Sequence, residues 1–202
     1  RETLQKEIVE FTGLSKSVLL KITADIKRKI SVFLDLNPIM LGGPGIIVEL
    51  DESMFNFKVK AHRGRAPRNQ IWVFGIVDTS FKPAKGILKV VQRRDANTLL
   101  PLIQRHVLHG TIIHSDEWSA YGNINSLGYV HKTICHKYEF VNKTNGVHTQ
   151  HIESYWNKQK NRIKKMMGCK GSVLQENLDM FVFYDLHQDD IYNSLLILLK
   201  FD

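Results

Sequence analysis

Apolar positions recur at helical spacing at the start of the chain. Leu4, Ile8 and Phe11 share a face before Thr12-Gly13, and Val18, Leu19, Ile22, Ile26 and Ile30 follow a similar period after it. Ser15 stands where a helix N-cap is expected, because its short hydroxyl can accept from a first-turn amide. Two helices joined by a glycine turn are therefore predicted within residues 1–36. They form either a helix-turn-helix, with Lys16, Ser17 and Lys21 on the exposed side of the second helix, or a plain helical hairpin. Asn37-Pro38 and Gly42-Gly43-Pro44-Gly45 then interrupt any regular element. A boundary is expected there, between a helical segment, 1–42, that is a candidate DNA reader and a larger domain, 43–202.

Past that boundary the pattern turns to strands. Residues 46–54, 71–78 and 86–92 are apolar, β-branched runs. The loops between them hold Arg63-Gly64-Arg65 and Lys82-Pro83-Ala84-Lys85-Gly86, and such short loops predict an antiparallel meander. A helix over 95–106, a strand over 111–114, a helical or irregular stretch over 117–127 and a strand over 129–135 come next. After a loop with Asn142, Asn145 and Gly146, a long helix starts near Thr149, with Ile152, Tyr155, Trp156, Ile163, Met166 and Met167 as its buried stripe. The order β-β-β-α-β-α-β-α predicts an α/β protein with a ribonuclease-H-like core, a mixed five-stranded sheet flanked by helices, followed by C-terminal helices.

Composition narrows the class. With 202 residues, 43% hydrophobic and 24% charged, the chain has the balance of a folded domain, which excludes disorder as its main state. The longest apolar run, 195–199, is far short of the roughly 20 residues a membrane span requires, so no membrane partner is expected; that run is a candidate oligomer interface or part of the core. Two cysteines, Cys135 and Cys169, make neither a disulfide framework nor a four-cysteine zinc site, and a reducing compartment is expected. The chain opens on Arg1 rather than Met, so a segment upstream is expected. Lys and Arg number 28 against 20 Asp and Glu, for a net charge of +8. The cations cluster in two acid-free runs, Lys58, Lys60, Arg63, Arg65 and Arg68, and then Lys158, Lys160, Arg162, Lys164, Lys165 and Lys170. One such run is an ordinary solvated face, but two favour a polyanionic partner, nucleic acid.

Three acids stand apart from the other carboxylates. Asp51 follows the run 46–50, read as apolar, inside the first strand, where a charge is costly unless a cation offsets it. Asp116 lies just past the fourth strand, as a metal ligand or a helix N-cap. Glu153 lies beside the buried stripe of the long helix, with Asn157, Lys160 and Lys164 along its own flank; alone it reads as a surface ion-pair residue. Together, three carboxylates from three elements suit one or two hard cations, Mg²⁺ or Mn²⁺, and phosphodiester chemistry. Lys160 and the run beyond it could hold flanking phosphates. Cys135, His136, His148 and His151 form a loosely zinc-like rival set. Trp156 is a core residue or a platform for a flipped base, and His114-Ser115 lacks the nucleophile turn a hydrolase triad needs.

Four ordered strings resemble a known family. Leu50-Asp51-Glu52-Ser53-Met54-Phe55, Arg63-Gly64-Arg65 with Trp72-Val73-Phe74-Gly75, His114-Ser115-Asp116-Glu117-Trp118 with Ala120-Tyr121, and His148-Thr149 with Ile152-Glu153 and Trp156 are similar to the Merlin superfamily of DDE transposases and its bacterial insertion-sequence relatives. The resemblance covers roughly residues 43–170. It implies Asp51, Asp116 and Glu153 as a catalytic and metal-binding triad, His148 and Asn157 as auxiliary residues, and Lys160 as a DNA contact. It also implies Mg²⁺-dependent cleavage at transposon ends followed by strand transfer, on double-stranded DNA bearing terminal inverted repeats and on target DNA. A dimer or larger assembly on paired ends would do this work, in the nucleus of a eukaryotic host and otherwise in the cytoplasm. Gln150 stands where relatives commonly carry Asn, and the N-terminal zinc ribbon of many bacterial relatives does not appear in the sequence. The alternatives are a domesticated DNA-binding protein without catalysis and a stand-alone ribonuclease-H-like nuclease.

Overall fold

The structure, a computed structural model, describes residues 5–55, 70–134 and 147–200. Five strands form one sheet: β1 (Ile47–Met54), β2 (Trp72–Asp78), β3 (Lys85–Val91), β4 (Ile112–Asp116) and β5 (Val130–Ile134). Their spatial order is β3-β2-β1-β4-β5. β1, β2 and β3 are the expected antiparallel meander, while β4 runs parallel to β1 and β5 parallel to β4. This mixed sheet with helices on both faces is the ribonuclease-H-like arrangement.

The helices are α1 (Gln5–Thr12), α2 (Lys16–Leu36), α3 (Ala96–His106), α4 (Gln150–Lys165), α5 (Leu174–Leu186) and α6 (Ile191–Leu199). The stretch after β4 holds two short 3₁₀ turns, Ser119–Tyr121 and Asn125–Leu127. Ser15 caps α2 by accepting from the Val18 amide, and Asp95 caps α3 by accepting from Thr98 at 3.0 Å, so each satisfies an amide the helix leaves unpaired. Val18 and Ile22 are exposed, against expectation, because the buried face of α2 runs through Leu19, Ile30 and Leu34 and both lie on its flank. The second half of α2 packs against α5, where Lys27 donates to Asn177 and Ser31 to Asp179.

Strand alternation divides the core in two. Val48, Leu50, Phe74, Ile76 and Ile87 pack under α3 and the 3₁₀ turns, while Val73, Val77 and Leu88 pack against α2, α4 and α5. Each such fully buried aliphatic side chain contributes about 1.5–3 kcal/mol relative to exposure. Met166 and Met167 do not extend the stripe of α4, contrary to the pattern. The helix ends at Lys165, Met167 turns to φ 60°, and the amide of Gly168 closes the end on the Ile163 carbonyl at 3.0 Å, which leaves Met167 94% exposed.

Candidate active site

The two faces of β1 differ sharply. Val48 and Leu50 are buried on the α3 side, whereas the α4 side carries Glu49, Asp51 and Ser53 in succession. A strand covered by a helix is usually apolar on that face, so this polar stripe has to be matched by α4. The amide of Ile152 donates to Glu49 Oε2 at 2.9 Å, Trp156 Nε1 donates to Asp51 Oδ2 at 2.9 Å, and Lys160 Nζ donates to Ser53 Oγ at 2.6 Å. Four residues of helix rise about 6 Å and two residues of strand about 6.7 Å, so each step along α4 meets the next rung of β1. Gly75 makes the middle rung fit. From β2 it pairs with Asp51 of β1, and a Cβ there would stand 2.6 Å from Trp156 Cζ2; its absence lets the indole lie on the sheet and reach the carboxylate.

Asp116 is the last residue of β4 rather than a residue beyond it. The parallel register pairs Ile47 with Ile112, Val48 with Ile113 and Glu49 with His114, and the same offset carries on to place Asp51 beside Asp116. Parallel neighbours in register point to one face on strands about 4.8 Å apart. Asp116 Oδ1 also accepts from the Trp118 amide at 3.0 Å, so it shapes the turn into the first 3₁₀ segment as well. Glu153 lies in the first turn of α4, exposed, where the helix dipole favours a carboxylate, and its side chain has no hydrogen bond or ion pair among the described residues. It shares a flank, at three and seven positions, with Trp156 and Lys160, the two side chains of that helix that touch Asp51 and Ser53.

A fourth carboxylate adjoins this group. Glu52 points to the opposite face of β1 and accepts from the Tyr121 hydroxyl at 2.7 Å. Burial pushes its carboxyl up to about 7; Asp51 and Asp116 push the same way, while the Tyr121 hydrogen bond and Arg94 oppose them. Desolvation, Glu52, Asp51 and Asp116 together hold the Tyr121 hydroxyl well above the ordinary phenol range. The Arg94 guanidinium lies 3.7 Å from the centre of the Trp72 ring and 5.1 Å from that of Trp118, a cation held by two aromatic faces. Glu52 and Arg94 were not candidates in the sequence; the signal for Glu52 was an acid adjoining Asp51 in a strand.

Glu49 was missed outright, since it falls inside the run read as apolar. It is fully buried, with His151 Nδ1 at 2.8 Å and His148 Nδ1 at 3.2 Å from its Oε1. His148 and His151 thus come together, on a carboxylate; Cys135 and His136 lie outside the described residues. Trp156 is 4% exposed, so it is core and no platform for a base. Ser115 contacts His131 Nε2 at 2.8 Å and donates to the Asp116 carbonyl at 2.7 Å; it makes no nucleophile pair with His114.

The basic residues divide into groups. Lys58, Lys60, Arg63, Arg65 and Arg68 lie outside the described residues. Lys158 and Arg162 each reach Asp185 of α5 at 2.8 Å. Lys164 and Lys165 are exposed and line an open groove of about 630 Å³ with Lys158, Asn161 and Arg162. Asn157 is exposed on the same helix. Among the described residues no helix is long and apolar enough to cross a membrane.

The chain is a ribonuclease-H-like sheet with two aspartates in line on neighbouring parallel strands and a glutamate on the covering helix, and its class is that of the DDE transposases. Residues 40–184, well over half of the chain, match the ISXO2-like transposase domain, and the chain belongs to that family. No curated protein matches it significantly. Among solved structures it is similar to the HTLV-2 integrase catalytic core domain in complex with magnesium, at 15% identity and a TM-score of 0.44, covering 74% of this chain and 89% of that one. It is also similar to the catalytic core domain of BIV integrase, at 17% identity and a TM-score of 0.45, covering 74% and 93%. A chain of the simian T-cell lymphotropic virus intasome in complex with the PP2A regulatory subunit B56 gamma is 15% identical, with a TM-score of 0.44 and coverage of 90% and 68%.

Proposed function

We propose that this chain is a DNA transposase of the Merlin branch that cleaves transposon ends and joins them to target DNA. The observation that supports the reading is the β1–β4 register, whose offset continues to Asp51 opposite Asp116 on neighbouring parallel strands, with Glu153 in the first turn of the covering helix α4. The donor chemistry suits a hard cation, with carboxylate oxygens alone from three separate elements, but among the described residues the three ligand atoms that lie within 4.8 Å of one another are those of Glu49, His148 and His151, so the triad would have to close further on binding an ion. Bound there, one or two Mg²⁺ or Mn²⁺ ions would supply activation of a water or 3′-hydroxyl and stabilisation of the leaving oxygen in an in-line displacement at phosphorus.

The chain's own residues supply position and charge. The Trp156 N–H fixes one oxygen of Asp51. Lys160, tied to Ser53 at 2.6 Å, holds a cation one rung beyond Asp51, suited to a phosphate next to the scissile one. Lys164 and Lys165 extend that charge along α4, and Arg63, Arg65 and Arg68 are assigned to another part of the duplex. The DNA partners are terminal inverted repeats and target DNA, bound by a homodimer or larger assembly. The working compartment is the nucleus in a eukaryotic host and the cytoplasm otherwise.

The test uses the full chain with Mg²⁺ and duplexes bearing the element's own terminal repeats. Wild type should cleave and join them, and Asp51→Asn, Asp116→Asn and Glu153→Gln should each reduce product to background while still binding DNA. Wild-type binding without cleavage would turn the reading to a domesticated DNA-binding protein. A preference for RNA–DNA hybrids would turn it to a nuclease, and cleavage that survives all three substitutions would remove the triad.

A further inference from the structure

A second set of ligand-type side chains lies one rung before the triad. Glu49 precedes Asp51 by two residues on the same face of β1, His114 precedes Asp116 on β4, and His151 precedes Glu153 on α4. Two residues of strand shift position by about 6.7 Å without changing face, so Glu49 and His114 lie one layer before the aspartates; on the helix two residues turn to the other side, and His151 joins that layer through its contact with Glu49 Oε1 at 2.8 Å. His148, just before α4, joins it, with its ring centroid 5.2 Å from that of His151 and 6.5 Å from that of His114.

We propose that Glu49, His148 and His151 bind a borderline transition-metal ion of the zinc type, which clasps β1 to the N-terminus of α4. Glu49 is a fully buried carboxylate, and among the described residues no Lys or Arg pairs with it. Its two oxygens have separate tasks. Oε2 accepts the Ile152 amide at 2.9 Å, which fixes the carboxylate, and Oε1 faces both Nδ1 atoms, at 2.8 Å for His151 and 3.2 Å for His148.

A carboxylate oxygen can accept from two ring nitrogens, but here only His151 Nδ1 hydrogen-bonds to Oε1. His148 Nδ1 is buried yet has no hydrogen-bond partner, despite its approach to Glu49. The three ligand atoms lie within 4.8 Å of one another. Donors about 2.0–2.2 Å from a tetrahedral ion stand roughly 3.3 Å apart, close to the approaches of 3.2 and 2.8 Å on Glu49 Oε1, so a small adjustment of the rings admits the ion. Two imidazoles with one carboxylate select zinc-type ions over Mg²⁺, which separates this site from the all-carboxylate triad. The partial exposure of His148 and His151 leaves the fourth position open to water. The buried His114, whose Nδ1 has no hydrogen-bond partner, lines the neighbouring wall. The ion's task is structural: it holds the first turn of α4, and with it Glu153, at a fixed height over β1. This assignment goes beyond the transposase reading and does not depend on it.

The test is a Co²⁺ titration of the chelator-stripped full chain in excess Mg²⁺, which occupies a carboxylate site but competes weakly for imidazole. Wild type should show the visible absorption of a four-coordinate nitrogen–oxygen site, saturating at about one equivalent and displaced by Zn²⁺, and Zn²⁺ should raise its Tm. His151→Ala and His148→Ala, both at partly exposed positions, should lose the band and the Tm response while keeping the far-ultraviolet circular dichroism of wild type. Glu153→Gln should retain both. The proposal fails if stripped wild type shows no such band, a result independent of how any variant folds. It fails equally if the band survives both histidine substitutions, or if it vanishes in Glu153→Gln, which would place the ion in the triad.

Discussion

Trp156 has two roles that substitution can separate. Its rings fill the space over Gly75, and its indole N–H donates to Asp51 at 2.9 Å. Trp156→Phe keeps an aromatic in the core and removes the donor, so a partly buried carboxylate loses a charge-assisted partner. Urea unfolding should show a loss of about 1–3 kcal/mol, and strand-transfer product should fall further than stability, because Asp51 loses its orientation. An unchanged urea midpoint would show that the hydrogen bond carries nothing. Glu52 makes a second case, this one dependent on pH. Its folded-state pKa of about 7 lies above the ordinary value of 4.5, so between those values the folded chain keeps a proton that the unfolded chain releases. Stability from this group is therefore present at low pH and is lost as pH rises through 7, a change of about 3 kcal/mol at 1.36 kcal/mol per pH unit. Glu52→Gln still accepts from Tyr121 and cannot ionise, so it should gain on wild type progressively from pH 5 to pH 8. The burial-lowered His106 and His114 titrate in both proteins and cancel in the difference. Parallel Tm profiles for the two proteins, measured in chelator, would refute this assignment.

At the scale of elements, the site exists because helix and strand repeats coincide. Steps of four along α4 meet steps of two along β1, at Ile152 and Glu49, Trp156 and Asp51, Lys160 and Ser53. Gly75 is the hinge of that fit: Gly75→Ala would bring a Cβ to 2.6 Å from Trp156 Cζ2 and 3.2 Å from Ile152 Cδ1. Overpacking of this kind costs about 1–3 kcal/mol. The cost should shrink in the double variant with Trp156→Phe, whose smaller ring lacks the clashing atoms, by at least about 0.5 kcal/mol relative to the sum of the single effects. Strict additivity would mean that Gly75 and Trp156 do not act on each other. Much of this arrangement was legible in the sequence, since β-branched runs bounded by turn residues mark β1, β2 and β3 to within a residue or two. The 65 positions between Asp51 and Asp116 turn out to be the offset of the β1–β4 register. What stayed hidden has physical causes. Glu49 lies among Ile46, Ile47, Val48 and Leu50, where an apolar reading absorbs it, and only the arrival of α4 shows why an acid is tolerated there. Met166 and Met167 continue the helical period, but Gly168 ends the helix first, and a period cannot register a backbone that leaves the helical region.

At the scale of the whole molecule, a net charge of +8 would shape the proposed contact with DNA, and the ion pairs distinguish the cations that would make it. Lys158 and Arg162 both face Asp185, a buried acid of α5 that also accepts from Gln159 at 2.9 Å, so one of their two positive charges is matched within the fold and the contacts tie α4 to α5. Lys164 is exposed in the same groove. For a duplex bound by counterion release, the slope of log K against log salt is about −0.9 for each phosphate neutralised. Lys164→Ala should therefore make that slope shallower by about 0.9, equally for terminal-repeat and unrelated duplexes, because phosphate contacts carry no sequence information. Lys158→Ala should change the slope less, since its ammonium is turned onto Asp185 at 2.8 Å, and it should instead lower the urea midpoint. Fluorescence anisotropy across a salt series measures both slopes. If Lys158→Ala flattened the slope and Lys164→Ala left it unchanged, the DNA would lie along the α5 side of α4, and the path past Asp51 and Lys160 would have to be redrawn.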